Sequence, residues 1–339
     1  MNEIAIIGAG PAGIEAAYVL AQRGYKVTLF EKAADTLTNI RDKAYLFPDF
    51  SSAADLADQL NRKLQHENIT LKTNADIVSV KGESGAWKLV DSQVNAYTAS
   101  AVLMATGYTV FDAKRKEELG YGIYQGVITS LEMEKMIREG HIVNTMGEQP
   151  GKIVFLQCVG SRDEKSGNHY CSKVCCVTAV KQAIEVKKHL PDTEVYLFYM
   201  DLRMWGEHFE EMYRESQEKY GVKYIRGRIS EAASTFDGKV QIKAEDTLVG
   251  LPLKMSTDLL VLMVGMEPSA GTRKLATDHA MANRYGFATS QSPLLDDNLT
   301  AEAGFFVAGT CKRPLSIIDT LNDARAAAQR IDEYMNTLR

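Results

Sequence analysis

Four of the five cysteines of this chain fall close together, as Cys158, Cys171, Cys175 and Cys176 in the spacing C-x12-C-x3-C-C. Such a cluster in a reducing compartment favours metal or redox chemistry over structural disulfides. Three interpretations compete. The cysteines are ordinary buried residues, or a pair of them forms a redox-active disulfide, or all four bind a tetrahedral zinc ion or a [4Fe–4S] cluster.

The spacing bears differently on the three interpretations. A disulfide between the adjacent Cys175 and Cys176 would be strained, and it would leave Cys158 and Cys171 unused. Adjacent ligands also do not match the usual zinc ribbon, whose paired ligands lie two to four residues apart. A larger iron–sulfur cluster is more easily reached by neighbouring residues. The spacing therefore favours a four-thiolate metal centre.

A second set of residues indicates dinucleotide binding. Gly8, Gly10 and Gly13 match G-x-G-x-x-G between an apolar run and a helical pattern, and Glu31 ends the next apolar run. In such a unit the glycines permit a tight turn, an approach to a pyrophosphate and close helix packing, while the acid accepts hydrogen bonds from a ribose. A glycine-rich turn without ligand is the alternative. The candidate binding residues here are Gly8, Gly10, Pro11, Ala12, Gly13, Glu31 and Lys32.

The GAGPAG turn resembles that of two-dinucleotide flavoproteins, in which the first unit holds FAD. Two further segments resemble that family: the strand end MATGY at 104–108 and the motif GFFVAGT at 304–310. The usual acidic residue after the second glycine of the latter motif is Thr310 here. The following helix would begin near Ile317 and direct its positive end at the flavin. The resemblance implies FAD contacts at Ala105, Thr106, Gly107, Gly309, Thr310 and Ile317.

The elements that must position these residues alternate between strands and helices, which predicts an α/β fold. A βαβ pattern covers residues 4–30, and a second strand–helix–strand pattern covers residues 152–198. We therefore predict two Rossmann-like units, the second inserted in the first, and the resemblance to flavoproteins implies a thioredoxin-reductase-like arrangement. The predicted FAD-binding domain is residues 1–112 and 285–339, and the predicted NAD(P)H-domain-like unit, which carries the cysteines, is residues 113–284.

Composition excludes several functional classes. The 339 residues are 45% hydrophobic and 24% charged, with a net charge of -5, which is ordinary for a globular protein. A nucleic-acid partner has no support, because there is no long basic run. We expect no transmembrane helix, since no sufficiently long apolar stretch is present. The N-terminus lacks a signal-peptide pattern, so we expect a cytoplasmic protein.

The cysteine segment carries a closer resemblance. The stretches QCVGSRDE at 157–164, YCSKVCC at 170–176 and AVK at 179–181, with DLR at 201–203 and RGR at 226–228, are similar to the signature of the A-type subunit of heterodisulfide reductases. The resemblance extends over essentially the whole chain. It implies that Cys158, Cys171, Cys175 and Cys176 bind a [4Fe–4S] cluster within a flavoprotein core.

The family also differs from this chain. The methanogen proteins carry additional ferredoxin-type cysteine runs, which are absent here, so the chain resembles the short, single-cluster version of heterodisulfide-reductase-like complexes in sulfur oxidisers. Related short versions occur in a quinone-interacting oxidoreductase. The resemblance implies a homodimer that docks other iron–sulfur subunits.

The second unit lacks its own glycine motif. The strand at 152–156 is followed by Gln157 and Cys158 instead, so a standard NADPH site is not expected, although NAD(H) could still reach the flavin elsewhere. Lys181 follows on the predicted helix. It is either a solvated helix lysine or, as the resemblance suggests, a catalytic cation near the flavin.

These observations lead to one main hypothesis: an oxidoreductase subunit that transfers electrons between FAD, a [4Fe–4S] cluster and partner subunits. A stand-alone NAD(P)H-dependent disulfide reductase is the first alternative. An FAD-bearing assembly scaffold with a structural zinc site is the second.

Overall fold

A computed structural model describes residues 3–338, and the chain divides into two units. Unit 1 comprises the residues up to Ile40, Asp55–Thr109 and the residues from Glu267 onward. Unit 2 comprises Arg41–Ala54 and Val110–Met266. The second α/β unit is therefore inserted in the first, as the sequence predicts.

The secondary structure alternates along the chain. The strands are β1 (Glu3–Ile7), β2 (Lys26–Phe30), β3 (Ile69–Lys72), β4 (Ile77–Glu83), β5 (Ala86–Asp91), β6 (Ala96–Ala99), β7 (Ala101–Met104), β8 (Tyr108–Val110), β9 (Val127–Thr129), β10 (Lys152–Val159), β11 (Glu194–Tyr199), β12 (Lys223–Arg226), β13 (Ile229–Ser234), β14 (Val240–Asp246), β15 (Leu251–Thr257), β16 (Leu259–Val264), β17 (Met266–Pro268) and β18 (Phe305–Val307). The α-helices are α1 (Pro11–Gln22), α2 (Thr38–Arg41), α3 (Ala53–Lys63), α4 (Ser130–Glu139), α5 (Cys175–His189), α6 (Phe209–Glu218), α7 (Ala270–Asp278) and α8 (Ile317–Thr337).

Five parallel strands form the main sheet of unit 1, in the order β18-β7-β1-β2-β3. The apolar residues of β1 are all buried, which is typical of a parallel strand covered on both faces. Ile7 pairs with Phe30 of β2 and with Met104 of β7. The carboxyl ends of these three strands are therefore level, and the loops with the candidate FAD residues leave the sheet at one edge. A smaller antiparallel sheet contains β4, β5 and β6.

Two helices meet beside this edge, and polar contacts fix their relative position. The buried Glu15 of α1 accepts a hydrogen bond from Arg325 of α8 at 2.7 Å. Arg23 after α1 binds Asp332 of α8 at 2.9 Å. Ser316 caps α8 and exchanges hydrogen bonds with Asp319 in a capping box, so the helix starts at the predicted residue, Ile317.

Unit 2 has a second five-stranded parallel sheet, in the order β12-β11-β10-β16-β9. Helix α5 connects β10 to the parallel neighbouring strand β11, which makes a βαβ unit. A three-stranded antiparallel sheet, β13-β14-β15, completes the unit. The predicted α/β class with two Rossmann-like units is confirmed.

The borders of the units differ from the predicted ones in three places. Residues 267–284 group with unit 1, whereas residues 41–54 and 110–112 group with unit 2. Unit 2 also contains the edge strand β9 and the capped helix α4. Within residues 3–338, none of the helices combines the length and the apolar character needed to cross a bilayer.

Candidate cofactor sites

The glycine turn of unit 1 has the geometry that a dinucleotide requires. Gly8 has a φ of 105°, and a Cβ there would lie 2.4 Å from the carbonyl oxygen of Ala105. A Cβ on Gly13 would lie 1.9 Å from the carbonyl oxygen of Gly8. These two glycines are therefore needed by the fold itself, because the strand ends and the helix approach too closely for any side chain.

Gly10 is different, because a Cβ there would meet no atom of the described residues within 4 Å. It is the N-cap of α1, no side chain caps the helix, and the first turn contains no acidic residue. Pro11, the first helical residue, lacks an N–H, and Ala12 and Gly13 complete the first turn. The open space and the partial positive charge of the helix N-terminus suit a phosphate group.

Glu31 lies directly beside this turn. Its carboxylate accepts hydrogen bonds from the backbone N–H groups of Ala9 at 2.9 Å and Ala33 at 3.0 Å. These bonds fix the carboxylate and leave further acceptor positions for ribose hydroxyls. Lys32, the next residue, is exposed.

The two other predicted FAD segments meet the same turn. A Cβ on Gly309, whose φ is 75°, would lie 2.8 Å from the Cβ of Ala12. A Cβ on Gly107 would lie 3.7 Å from Oγ1 of Thr310. The structure therefore brings the GAGPAG turn, residues 105–107 and residues 309–310 to one place, and Ile317 starts the helix that follows them. Their binding of FAD stays a prediction.

Sequence reasoning missed a buried ionic group that supports the Gly309 turn. Asp323 of α8 accepts a hydrogen bond from the Gly309 N–H at 2.6 Å, and Lys312 bridges Asp323 and Asp297 at 2.7 and 2.8 Å. Burial raises the pKa of Asp297, but hydrogen bonds from Arg313 and Lys312 outweigh it and lower the pKa to about 2. The sequence shows Asp323 only as an acidic residue in the first half of α8, and nothing in the residues around it indicates that it contacts Gly309.

The four clustered cysteines lie in unit 2, on the connection that runs from the end of β10 through a loop to the start of α5. Cys158 is in β10, and Cys175 and Cys176 are the first two residues of α5. All four thiols are free; three are buried and Cys171 is half-buried. Cys158 has a φ of 61°, so the strand bends sharply at the first cysteine. The β10 end is where an ordinary dinucleotide unit would have its glycine turn.

Burial and the other cysteines raise the pKa of three of the four thiols. Burial raises the pKa of Cys158 to about 11, and repulsion from Cys176 and Cys171 adds to this. Burial and repulsion from Cys158, Cys176 and Cys171 raise the pKa of Cys175. Burial also raises the pKa of Cys176, and repulsion from Cys171 adds to this increase. The four cysteines would therefore repel one another as thiolates, and a positive metal centre would relieve that repulsion.

Hydrogen-bond donors surround these thiols. The backbone N–H groups of Lys173 and Arg203 donate to the sulfurs of Cys171 at 3.3 Å and Cys176 at 3.4 Å. Within the described part of the chain, residues 3–338, three buried side-chain atoms next to these thiols have no hydrogen-bond partner: Nε2 of Gln157, Oγ of Ser161 and Nη1 of Arg162. Unpaired buried donors are costly, and sulfide or thiolate acceptors would satisfy them. The donor set therefore fits an iron–sulfur cluster.

Across residues 3–338, no three His, Cys, Asp or Glu side chains converge closely enough to hold a single metal ion. The four cysteines are thus neighbours without forming a single-ion site in this conformation.

Close packing holds the cysteine loop in place. A Cβ on Gly265 would lie 2.7 Å from Oγ of Ser172 and 3.1 Å from Cβ of Ser161. A Cβ on Gly160 would lie 2.0 Å from the ring of Phe111. Ser172 also accepts a hydrogen bond from the Met266 N–H at 2.8 Å. Sequence reasoning assigned no role to Gly265, which follows a buried strand and looks like an ordinary turn residue.

Lys181 is not a solvated helix lysine, because its side chain is 2% exposed. Its ammonium forms an ion pair with the buried Glu134 and donates to the carbonyl oxygen of Tyr45 at 2.9 Å. Burial lowers the pKa of Lys181, and Glu134 opposes this shift. Glu134 also accepts from Gln182 at 2.8 Å and from the Ala44 N–H at 3.1 Å. These contacts connect residues 44 and 45 to α4 and α5, and a catalytic role of Lys181 stays a prediction.

Comparison with solved structures confirms the fold. The thioredoxin reductase of Lactococcus lactis superposes with a TM-score of 0.69 at 17% identity, covering 99% of this chain and 100% of that one. The thioredoxin reductase of T. acidophilum gives a TM-score of 0.69 at 18% identity, with full coverage of both chains. At these identities the similarity concerns the fold alone.

Sequence comparison identifies relatives. A family model of pyridine nucleotide-disulphide oxidoreductases matches residues 3–93. The A-type iron-sulfur subunit of CoB–CoM heterodisulfide reductase from Methanocaldococcus jannaschii is 33% identical, over 96% of this chain and 63% of that protein. The A-type subunit of H2:CoB–CoM heterodisulfide,ferredoxin reductase from Methanothermobacter marburgensis is 31% identical, over 96% of this chain and 62% of that protein. The chain thus spans somewhat less than two thirds of these relatives, and over nearly all of its own length it is a homologue of the A-type subunits of heterodisulfide reductases, with the thioredoxin reductase fold.

Proposed function

We propose that this chain is an oxidoreductase subunit that carries FAD in unit 1 and one [4Fe–4S] cluster in unit 2. FAD exchanges two electrons and the cluster exchanges one, so together they connect two-electron chemistry to single-electron transfer. We propose further that it acts in a heterodisulfide-reductase-like complex of sulfur metabolism, as a cytoplasmic homodimer with other iron–sulfur subunits. NAD(H) is a candidate electron donor or acceptor.

The observation that carries this proposal is the four-cysteine cluster at the end of β10. Four free thiols, three of them buried, lie on the strand–loop–helix connection where a second dinucleotide motif would lie. Unpaired donors from Gln157, Ser161 and Arg162 lie next to them. A cluster with bridging sulfides would use both the thiolates and the donors.

The residues of unit 1 support FAD in a complementary way. The N-terminus of α1 would bind the pyrophosphate, and the fixed carboxylate of Glu31 would accept from the ribose hydroxyls. The N-terminus of α8, starting at Ile317, would stabilise negative charge on the flavin ring. The Gly309 turn lies against Ala12, which joins the two halves of the site.

A matched pair of glycine variants tests the FAD site. Gly10→Val adds a side chain where nothing lies within 4 Å, so the variant should keep the melting temperature of the flavin-free protein and lose bound FAD. Gly13→Ala should lower the melting temperature as well, because its Cβ would meet the Gly8 carbonyl at 1.9 Å. Gly10→Val protein that purifies with full flavin would refute the site.

The metal centre is tested by iron and acid-labile sulfide analysis of protein purified without oxygen. We expect about four iron atoms and four sulfides per chain, with lower content in single Cys→Ser variants at positions 158, 171, 175 and 176. Cys311→Ser is the control, because the buried Cys311 thiol donates to the carbonyl oxygens of Met104 and Ala308 at 3.3 and 3.1 Å, which a hydroxyl can also do. Stoichiometric zinc without sulfide would favour the scaffold alternative.

The stand-alone disulfide reductase is separated by a thiol assay. NADPH-dependent reduction of a disulfide by the isolated chain, abolished by Cys175→Ser and by Cys176→Ser at unchanged metal content, would replace the proposed function. We expect no such activity, because the adjacent pair is strained as a disulfide.

A further inference from the structure

The four-cysteine cluster has one side nearer to solvent. Cys158, Cys175 and Cys176 are buried, whereas Cys171 is half-buried. The backbone N–H of Lys173 donates to the Cys171 sulfur at 3.3 Å. The side chains next to Cys171 therefore decide what can approach the cluster from outside unit 2.

An exposed tryptophan lies at this side. The Lys173 ammonium lies 4.5 Å from the ring centroid of Trp205, and the tryptophan is 62% exposed. Two residues before it, the Arg203 N–H donates to the Cys176 sulfur at 3.4 Å. Trp205 thus belongs to a loop attached directly to the cluster, and so large an exposed aromatic side chain is a typical anchor of protein–protein interfaces.

Positive charge is concentrated at the same place. Arg162 binds Asp201 at 2.6 Å, and Arg226 lies 3.8 Å from the same carboxylate. Two guanidinium groups thus share one carboxylate, and Arg203 and Lys173 bring the number of cations at this place to four. This excess of positive charge contrasts with the net charge of -5 of the chain.

One further carboxylate belongs to the same loop. Glu207 lies 3.6 Å from the ring of its neighbour His208. The loop therefore supplies two carboxylates, Asp201 and Glu207, and the four cations outnumber them.

We propose that the surface formed by Lys173, Arg203 and Trp205 is the docking site of an acidic one-electron carrier protein. The inference rests on the proposed function and adds where the partner binds and what charge it carries. In the transfer, the reduced carrier loses one electron and the four-cysteine centre gains it, or the reverse, and no covalent bond changes. Docking at this surface brings the carrier close to Cys171, the least buried of the four cysteines.

The physics of such complexes agrees with this surface. Electron-transfer encounters use small interfaces and are weak and transient. Opposite charge raises their association rate, and salt screens that effect. A central aromatic residue supplies short-range affinity. Cations around the exposed indole of Trp205 therefore provide both the faster association and the short-range affinity.

A highly acidic bacterial ferredoxin serves as the probe. Its affinity for the chain is measured by calorimetry in the oxidised state, and its oxidation rate by stopped flow at several salt concentrations. The wild-type rate should fall as salt rises. The double variant Lys173→Glu/Arg203→Glu should lower the low-salt rate at least tenfold and flatten its salt dependence, and Trp205→Ala should weaken affinity about tenfold. The rate at which reduced methyl viologen, a small one-electron donor, reduces the chain should be the same in these variants as in the wild type.

Two exposed positions on the antiparallel strands and turns of unit 2 serve as matched controls. Phe236→Ala removes an exposed aromatic ring and Lys254→Glu reverses an exposed charge, and neither should change affinity or rate. Equal ferredoxin binding by wild-type, control and surface variants would overturn the proposal. So would surface variants that change only iron content or cluster potential, because the cations would then merely balance the charge of the cluster.

Competition by thiosulfate, with no ferredoxin binding, would overturn the proposal too and assign the surface to a small anion. Failure of the proposed function shows separately, as a chain without iron or flavin. Ferredoxin binding to that chain is still measurable by calorimetry, so the two failures are distinguishable.

Discussion

The buried ion pair between Lys181 and Glu134 allows a sharp test of what this lysine does. Lys181→Met keeps most of the length of the side chain and removes the charge, which leaves Glu134 buried. Breaking a buried pair by removing one partner costs about 3–5 kcal/mol. Glu134 keeps hydrogen bonds from Gln182 and from the Ala44 N–H, so we expect the lower end, about 3 kcal/mol.

This loss should be visible in unit 2. For units of 150–250 residues, each kcal/mol lowers the melting temperature by about 2–4 °C, so we expect a decrease of about 6–12 °C. The substitution also removes the bond from Lys181 to the Tyr45 carbonyl. Residues 41–54 should therefore detach more often, and trypsin should cleave after Lys43 faster than in the wild type.

A double variant separates the ion pair from general damage. Lys181→Met/Glu134→Gln removes both charges while the amide still accepts from the Ala44 N–H. We expect it to recover a large part of the lost stability, because the cost lies mainly in the unpaired carboxylate. Additive losses would contradict this reasoning. An unchanged melting temperature with a lowered flavin midpoint potential would refute it altogether and favour the flavin role of Lys181.

Three further predictions concern the two cofactor sites. Gly265→Ala should lower the iron content while FAD is retained, because its methyl group would lie 2.7 Å from Oγ of Ser172, beside Cys171. The control is Gly151→Ala, whose methyl group would have its nearest contact at 3.5 Å, and iron analysis of both variants tests the prediction. Gly309→Ala, at a φ of 75° and 2.8 Å from a side chain of α1, should lower flavin affinity and cost about 1–2 kcal/mol, as measured by flavin titration and thermal melts. Because the pKa of Asp297 is lowered from 3.8 to about 2 in the folded protein, its stabilising effect is present above pH 4 and lost towards pH 2, so Asp297→Asn should melt below the wild type at pH 7 and approach it under acid conditions.

The strands and the two chemical motifs could be predicted from the sequence because their signals are local. The run from Ile4 to Ile7, the glycines that follow and the helix after them lie within one βαβ unit, whose parts are neighbours along the chain. The spacing of the four cysteines likewise marked them as a group. In the structure Cys158 lies at the end of β10, Cys171 lies in the loop that follows, and Cys175 and Cys176 begin α5, so one strand–loop–helix connection holds all of them.

Residues that meet only through the packing of distant elements were beyond the sequence. Asp323 accepts from Gly309 because α8 returns across the end of β18. Glu134 meets Lys181 because α4 packs beside α5, and this pair assigns residues 41–54 to unit 2, although the chain enters them from unit 1. Local patterns specify which face of an element is buried, but sheet order and helix packing decide which residue that face meets. The sequence by itself therefore determined the elements and the two chemistries, and the tertiary structure alone decided which side chains hold them in place.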